Sequence, residues 1–191
     1  MSKGRLEAFS DAVIAIIITI MVLELRPPDG VTIDDLRPLL PTFASYALSF
    51  ALLGTYWNNH HHLLQTAKTV DGWVLWANLH LLFWLSLFPF GTAWVGQSDF
   101  AAVPVAAYGL LLLLAAIAYY GLVRALIHAP GQTPTLAIAV GRDIKGKISP
   151  LLFAVAIPIA LLVPAIAMAI YVGVVVIWVV PDRRMERAIG S

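Results

Sequence analysis

Apolar residues fall into five long runs, about Arg5 to Leu25, Pro38 to His62, Asp71 to Val95, Ala101 to His128 and Ile148 to Val180. Short segments carrying Pro, Gly, Asp or Lys separate them. A bilayer core about 30 Å thick needs roughly 20 apolar residues per helix, so each of the first four runs predicts one spanning helix. The fifth is too long for one ordinary span and contains Pro158 and Pro164. Proline lacks the amide hydrogen and its ring collides with the preceding turn. One long kinked helix, or two short ones turning near Val163 and Pro164, both fit that pattern.

Charge chooses between them, because cytoplasmic segments of membrane proteins carry an excess of Lys and Arg. With six spans and an inside N-terminus, the inner side receives Lys3, Arg5, Lys68, Arg124, Arg142, Lys145, Lys147, Arg183, Arg184 and Arg187, and the outer side only Arg26 and Arg37. Five spans would move Arg183, Arg184 and Arg187 outside and blur the bias. The chain is therefore expected to be an all-α integral membrane protein, one six-helix transmembrane domain over residues 1–191, with cytoplasmic N- and C-termini. Each half of the last hairpin is then about 16 residues, or roughly 24 Å, which tilting or local thinning accommodates. Trp57, Trp73, Trp76, Trp94 and Trp178 fall near helix ends, as interfacial anchors should; Trp84 lies mid-helix and is expected to pack against protein.

Composition narrows the function. Hydrophobic residues make up 60% of the chain and charged ones 12%, with mean hydropathy +0.86, which leaves little for a soluble catalytic domain, and no enzyme is implied. The absence of cysteine excludes thiol chemistry and disulfides. A net charge of +1 gives no nucleic-acid footprint. The first run is longer than a signal-peptide core and lacks a small-residue cleavage pattern, so it reads as a retained span. No internal repeat is visible.

Chemistry concentrates at the start of that span, GRLEAFSDAVIAIIITIMVLEL, where Arg5, Phe9, Ser10 and Asp11 precede an aliphatic stretch. An ionisable group at bilayer depth costs about 2.5–3.5 kcal/mol on insertion scales and is retained where it finds a partner or lines a path. Arg5 and Asp11 are about 120° apart around a helix and cannot form an i,i+4 pair. Candidate partners for Ser10 and Asp11 are the Trp57 indole N–H, a histidine of the His60, His61, His62 run, and the Asn78 amide. Arg5 can snorkel or bond helix-end carbonyls. Three successive histidines point about 100° apart and cannot all grip one metal ion; an interfacial polar cluster is the reading preferred.

Arg5-x-x-x-Phe9-Ser10-Asp11 resembles the signature of the transmembrane protein 175 family of potassium channels. Tyr56-Trp57-Asn58-Asn59-His60-His61 and the stretch from Asn78-Leu79 to Pro89-Phe90 resemble that family's pattern in the next two helices. His62 stands where the family commonly has an arginine. The resemblance implies a prokaryotic plasma-membrane protein, a homotetramer of six-helix subunits in the lipid bilayer, with the first helix lining a potassium-permeable pore. No T-V-G-Y-G loop is present, so a carbonyl filter of the usual potassium-channel kind is not available. The constriction, like the selectivity, must then come from side chains of the first helix.

Helical phase and the carboxylate together select the face. Ile16, Ile20 and Leu23 fall within about 60° of one another, with Thr19 adjoining, whereas Asp11 lies about 140° from Ile16. All faces of this helix are apolar, so periodicity alone cannot choose; a carboxylate at depth belongs against protein, which leaves the reverse stripe for the pore axis. Thr19 could instead bond back to the Ala15 carbonyl. Glu24 reads as a solvated end charge or a cation-concentrating mouth. A secondary transporter, with Pro104, Pro158 and Pro164 marking interrupted helices and Asp11 as ion site, is the alternative. A lone Arg124 is no voltage-sensor array.

Overall fold

The computed structural model describes residues 2–131 and 144–179, all of the regular structure there being helical. Arg142 and the basic trio Arg183, Arg184 and Arg187, on which the inside C-terminus rests, lie outside the described residues. Helix α1 spans Lys3–Met21 and runs on as a 3₁₀ turn, Val22–Glu24. A 3₁₀ segment, Asp34–Leu39, leads into α2, Leu40–Thr66. At the start of that segment, the Thr32 hydroxyl and amide donate to Asp35 Oδ2 at 2.6 and 2.9 Å.

The third run is not one helix. It divides into α3, Gly72–Ser86, and α4, Phe88–Gln97. Pro89 has no N–H to give the carbonyl four residues back, and Leu87 N–H bonds the Trp84 carbonyl at 3.3 Å in a tightened turn. The kink keeps the pair as one 26-residue crossing, Gly72–Gln97. Asp71 starts α3 by accepting the Val74 N–H at 2.9 Å, which satisfies one of the helix's orphan donors.

Helix α5 spans Ala102–His128, α6 Ile144–Leu162 and α7 Pro164–Val179. The last run is thus two helices turning at Val163, with Pro164 as the first helical residue, where a missing N–H costs nothing. Pro104 sits in the first turn of α5 and Pro158 lies inside a continuous α6, so neither interrupts its helix. Five crossings have 18 residues or more and α7 has 16, giving six crossings among the described residues.

Helix α5 packs against α3, α4, α6 and α7, and α1 packs against α2, α3 and α4. On α1 the buried positions are Leu6, Ser10, Ile14, Ile17 and Met21, one stripe at helical spacing. Close approaches need glycine at two places. A Cβ on Gly96 would strike the backbone of Thr42 in α2, and one on Gly109 would overlap the Tyr171 ring, whose hydroxyl donates to the Val105 carbonyl at 3.2 Å.

Candidate functional site

The site grows from Ser10, which is fully buried on α1. Its hydroxyl donates to the Leu6 carbonyl at 2.9 Å and accepts from Asn78 Nδ2 of α3 at 2.9 Å. Asn78, also fully buried, then presents Oδ1 at 2.7 Å from His60 Nε2 of α2. An amide oxygen only accepts, so His60 carries its proton on Nε2. One uninterrupted line of donors and acceptors ties three helices together.

Asp11, one residue on, is partly buried and accepts the Trp57 Nε1 hydrogen at 3.0 Å. The Trp57 ring stacks on His61 with centroids 5.9 Å apart, and Gln65 Nε2 lies 2.8 Å from His61 Nε2. Lys3 Nζ donates to the Gln65 carbonyl at 3.0 Å and sits 3.8 Å from Glu7. Trp57 stays 43% exposed while its indole N–H turns to Asp11, and α2 runs four residues past His62. The three histidines diverge, His60 toward Asn78, His61 toward Trp57 and Gln65, and His62 with a buried Nδ1 that has no partner among the described residues.

The signature side chains do not stay together. Ser10 and Asp11 turn inward, while Arg5 is exposed and Phe9 is 47% exposed on the opposite side. Both fall in phase with Ile16, Ile20 and Leu23, which are 55, 44 and 73% exposed. A single outward stripe therefore runs the length of α1 from Arg5 to Leu23. Thr19 lies on it, with its hydroxyl donating to the Ile16 carbonyl at 2.9 Å, not to that of Ala15. Gly4, Ala8, Ala12 and Ala15 form an exposed small-residue row beside it.

Sequence reasoning missed the tether at the other end of α1. Glu24 accepts from Gln97 Nε2 of α4 at 3.2 Å. Thr92 of α4 lies 3.7 Å from Met21 Sδ, 2.6 Å from Ser49 Oγ of α2 and 2.7 Å from the Phe88 carbonyl, and Ser49 is 2.6 Å from the Tyr108 hydroxyl of α5. The available signal was three hydroxyls isolated in apolar runs, each of which needs a partner away from water.

Residues 5–89 match the family described as endosomal/lysosomal potassium channel TMEM175. Over 189 residues the chain is 51% identical to a protein of Chryseobacterium sp. (strain P1-3) named a potassium channel, covering 99% of this chain and 98% of that one. The chain belongs to the TMEM175 family. A second relative named a potassium channel, from Streptomyces collinus (strain DSM 40733 / Tue 365), is 34% identical over 128 residues, 63% of this chain and 62% of its own. In fold, this TMEM175 member matches the crystal structure of a lysosomal potassium-selective channel TMEM175 homolog from Chamaesiphon minutus, with TM-score 0.83 and 24% identity over 93% of this chain and 96% of that one.

The inward face of α1 in this TMEM175 chain separates charge from hydrogen bonding at one position. Asp11→Asn keeps an oxygen for the Trp57 indole and should leave thermal stability in detergent within about 0.5 kcal/mol of wild type, whereas Asp11→Ala should lose about 1 kcal/mol. Equal losses in thermal unfolding for both variants would show that the charge, not the bond, holds α1.

Proposed function

We propose that the chain forms a potassium-permeable channel, a homotetramer in which α1 of each subunit lines a central pore. Rings of Ile16, Ile20 and Leu23, with Thr19 beside them, form the constriction. The observation that carries this reading is the division of α1 into two faces. One is bonded to the rest of the subunit at both ends, through Ser10 and Asp11 and through Glu24. The other is an exposed stripe along the helix from Arg5 and Phe9, carrying the aliphatic side chains Ile16, Ile20 and Leu23 with Thr19 among them.

A small-residue row beside that stripe, Gly4, Ala8, Ala12 and Ala15, supports close packing of α1 helices around an axis, because small side chains let backbones approach. The names of the bacterial relatives support potassium as the permeant ion. An aliphatic ring holds back ions by excluding water from the narrow zone. Opening then requires α1 to move or rotate while its cytoplasmic end stays tied through Asp11. The channel acts without cofactor or catalysis, in the plasma membrane of a prokaryotic cell.

Purified protein in liposomes tests the reading. Potassium flux above that of empty vesicles, with unitary current steps in planar bilayers, is the expected result. Slow saturable transport without unitary steps would instead mark a carrier, and no flux at all a scaffold.

A further inference from the structure

At the end of the bundle where α3 begins and α5 finishes, Asp71, Trp73, Arg124, Ala125 and His128 line an open groove of about 400 Å³. We propose that this groove seats the phosphate of an anionic phospholipid from the leaflet on the Lys- and Arg-rich side, a role apart from the pore.

Arg124 is exposed, and its guanidinium makes no hydrogen bond or ion pair among the described residues. Five donors on a bare cation at the membrane boundary fit a phosphate oxygen pair. Trp73, 79% exposed, lines the same groove, and an indole suits headgroup depth. His128 is held in place by its Nδ1 hydrogen on the Arg124 carbonyl at 2.8 Å. One carboxylate faces the same groove, Asp71, whose Oδ1 already accepts from Val74 N–H, and it opposes an anion.

Below the groove the exposed side chains of the two helices are mainly apolar; His80 of α3, exposed in line with Trp73, accepts the Trp84 indole N–H at 2.8 Å. Leu110, Ile117 and Tyr120 are exposed on α5 in line with Arg124, and Trp76 and Phe83 on α3 in line with Trp73. That juxtaposition, a guanidinium without a partner among the described residues at the end of a largely apolar trough, matches a lipid, whose acyl chains lie along the trough. A free phosphate would use the groove and leave the trough without a role.

Native mass spectrometry of the detergent-purified protein, titrated with phosphatidylglycerol or phosphatidylcholine of equal chain length, tests this. The wild type should hold phosphatidylglycerol about fivefold more tightly, the contribution expected of one basic side chain near a membrane surface. Arg124→Gln should abolish the preference, Arg124→Lys should keep most of it, and Asp71→Asn, which retains a capping side chain, should increase it. Equal retention of the two lipids, or an unchanged preference in Arg124→Gln, would overturn the proposal. So would displacement of phosphatidylglycerol by millimolar inorganic phosphate, which would mark a free-phosphate site.

Discussion

Ile20→Asn should produce a channel with a larger conductance and a potassium-to-sodium permeability ratio close to one. Ile20 is 44% exposed on the free stripe, so the substitution buries no new polar group inside the subunit and the protein should still assemble. An asparagine amide hydrogen-bonds water on both its oxygen and its nitrogen. A ring of four such amides would wet the narrow zone and remove the dehydration barrier that aliphatic side chains impose. Lowering that barrier by about 1.4 kcal/mol corresponds to a tenfold rise in flux. Leu23→Asn should act in the same direction. Ile17→Asn is the control: Ile17 is 4% exposed on the inward face, and an amide forced into that apolar contact should prevent stable assembly. Bilayer recordings under bi-ionic potassium and sodium give both conductance and ratio.

Asn78→Leu should cost stability and current together, for separable reasons. Leucine keeps the volume but leaves the His60 Nε2 hydrogen buried with nothing to accept it, while Ser10 still donates to the Leu6 carbonyl. An orphaned buried donor costs about 1–3 kcal/mol, whereas a single bond between membrane helices averages about 0.6 kcal/mol; the orphan therefore dominates the loss. Adding His60→Phe removes it. The double variant should regain most of its thermal stability in detergent and still conduct poorly in liposome flux, because α1 remains untied from α3. Recovery of both stability and flux would mean that this line of bonds holds the fold but does not position the pore helix.

The hydrophobic pattern gave five runs and the Lys and Arg bias made them six crossings, and the two proline-marked events show how far the pattern reaches. Pro164 lies between two segments each long enough to be a helix, and the charge bias beyond them made its break legible. Pro89 lies inside a run of ordinary span length, and nothing in the composition separates a kink from a continuous helix there; the α3–α4 break follows from the carbonyl it leaves without a donor. On α1, phase alone placed Ile16, Ile20 and Leu23 on one side and Asp11 on the other. The signature hid a division, since Arg5 and Phe9 are in phase with the outward stripe and Ser10 and Asp11 are not. Four residues read as one motif are two faces of one helix. The tether at the far end was less legible, because Ser49, Thr92 and Tyr108 are far apart in sequence and meet only through the packing of α2, α4 and α5.

A chain without native cysteine allows the pore face to be read one position at a time. Single cysteines at Ile16, Ile20 and Leu23, and at Ile117 on the exposed side of α5, are placed in liposomes and treated with a charged methanethiosulfonate reagent while potassium flux is followed. With α1 on the axis, modification of Leu23→Cys and Ile20→Cys should block flux, and that of Ile117→Cys should leave it unchanged. Block at Ile117→Cys, with flux unaffected in fully modified Leu23→Cys, would place the ion path elsewhere and contradict the assignment of α1 as the pore helix.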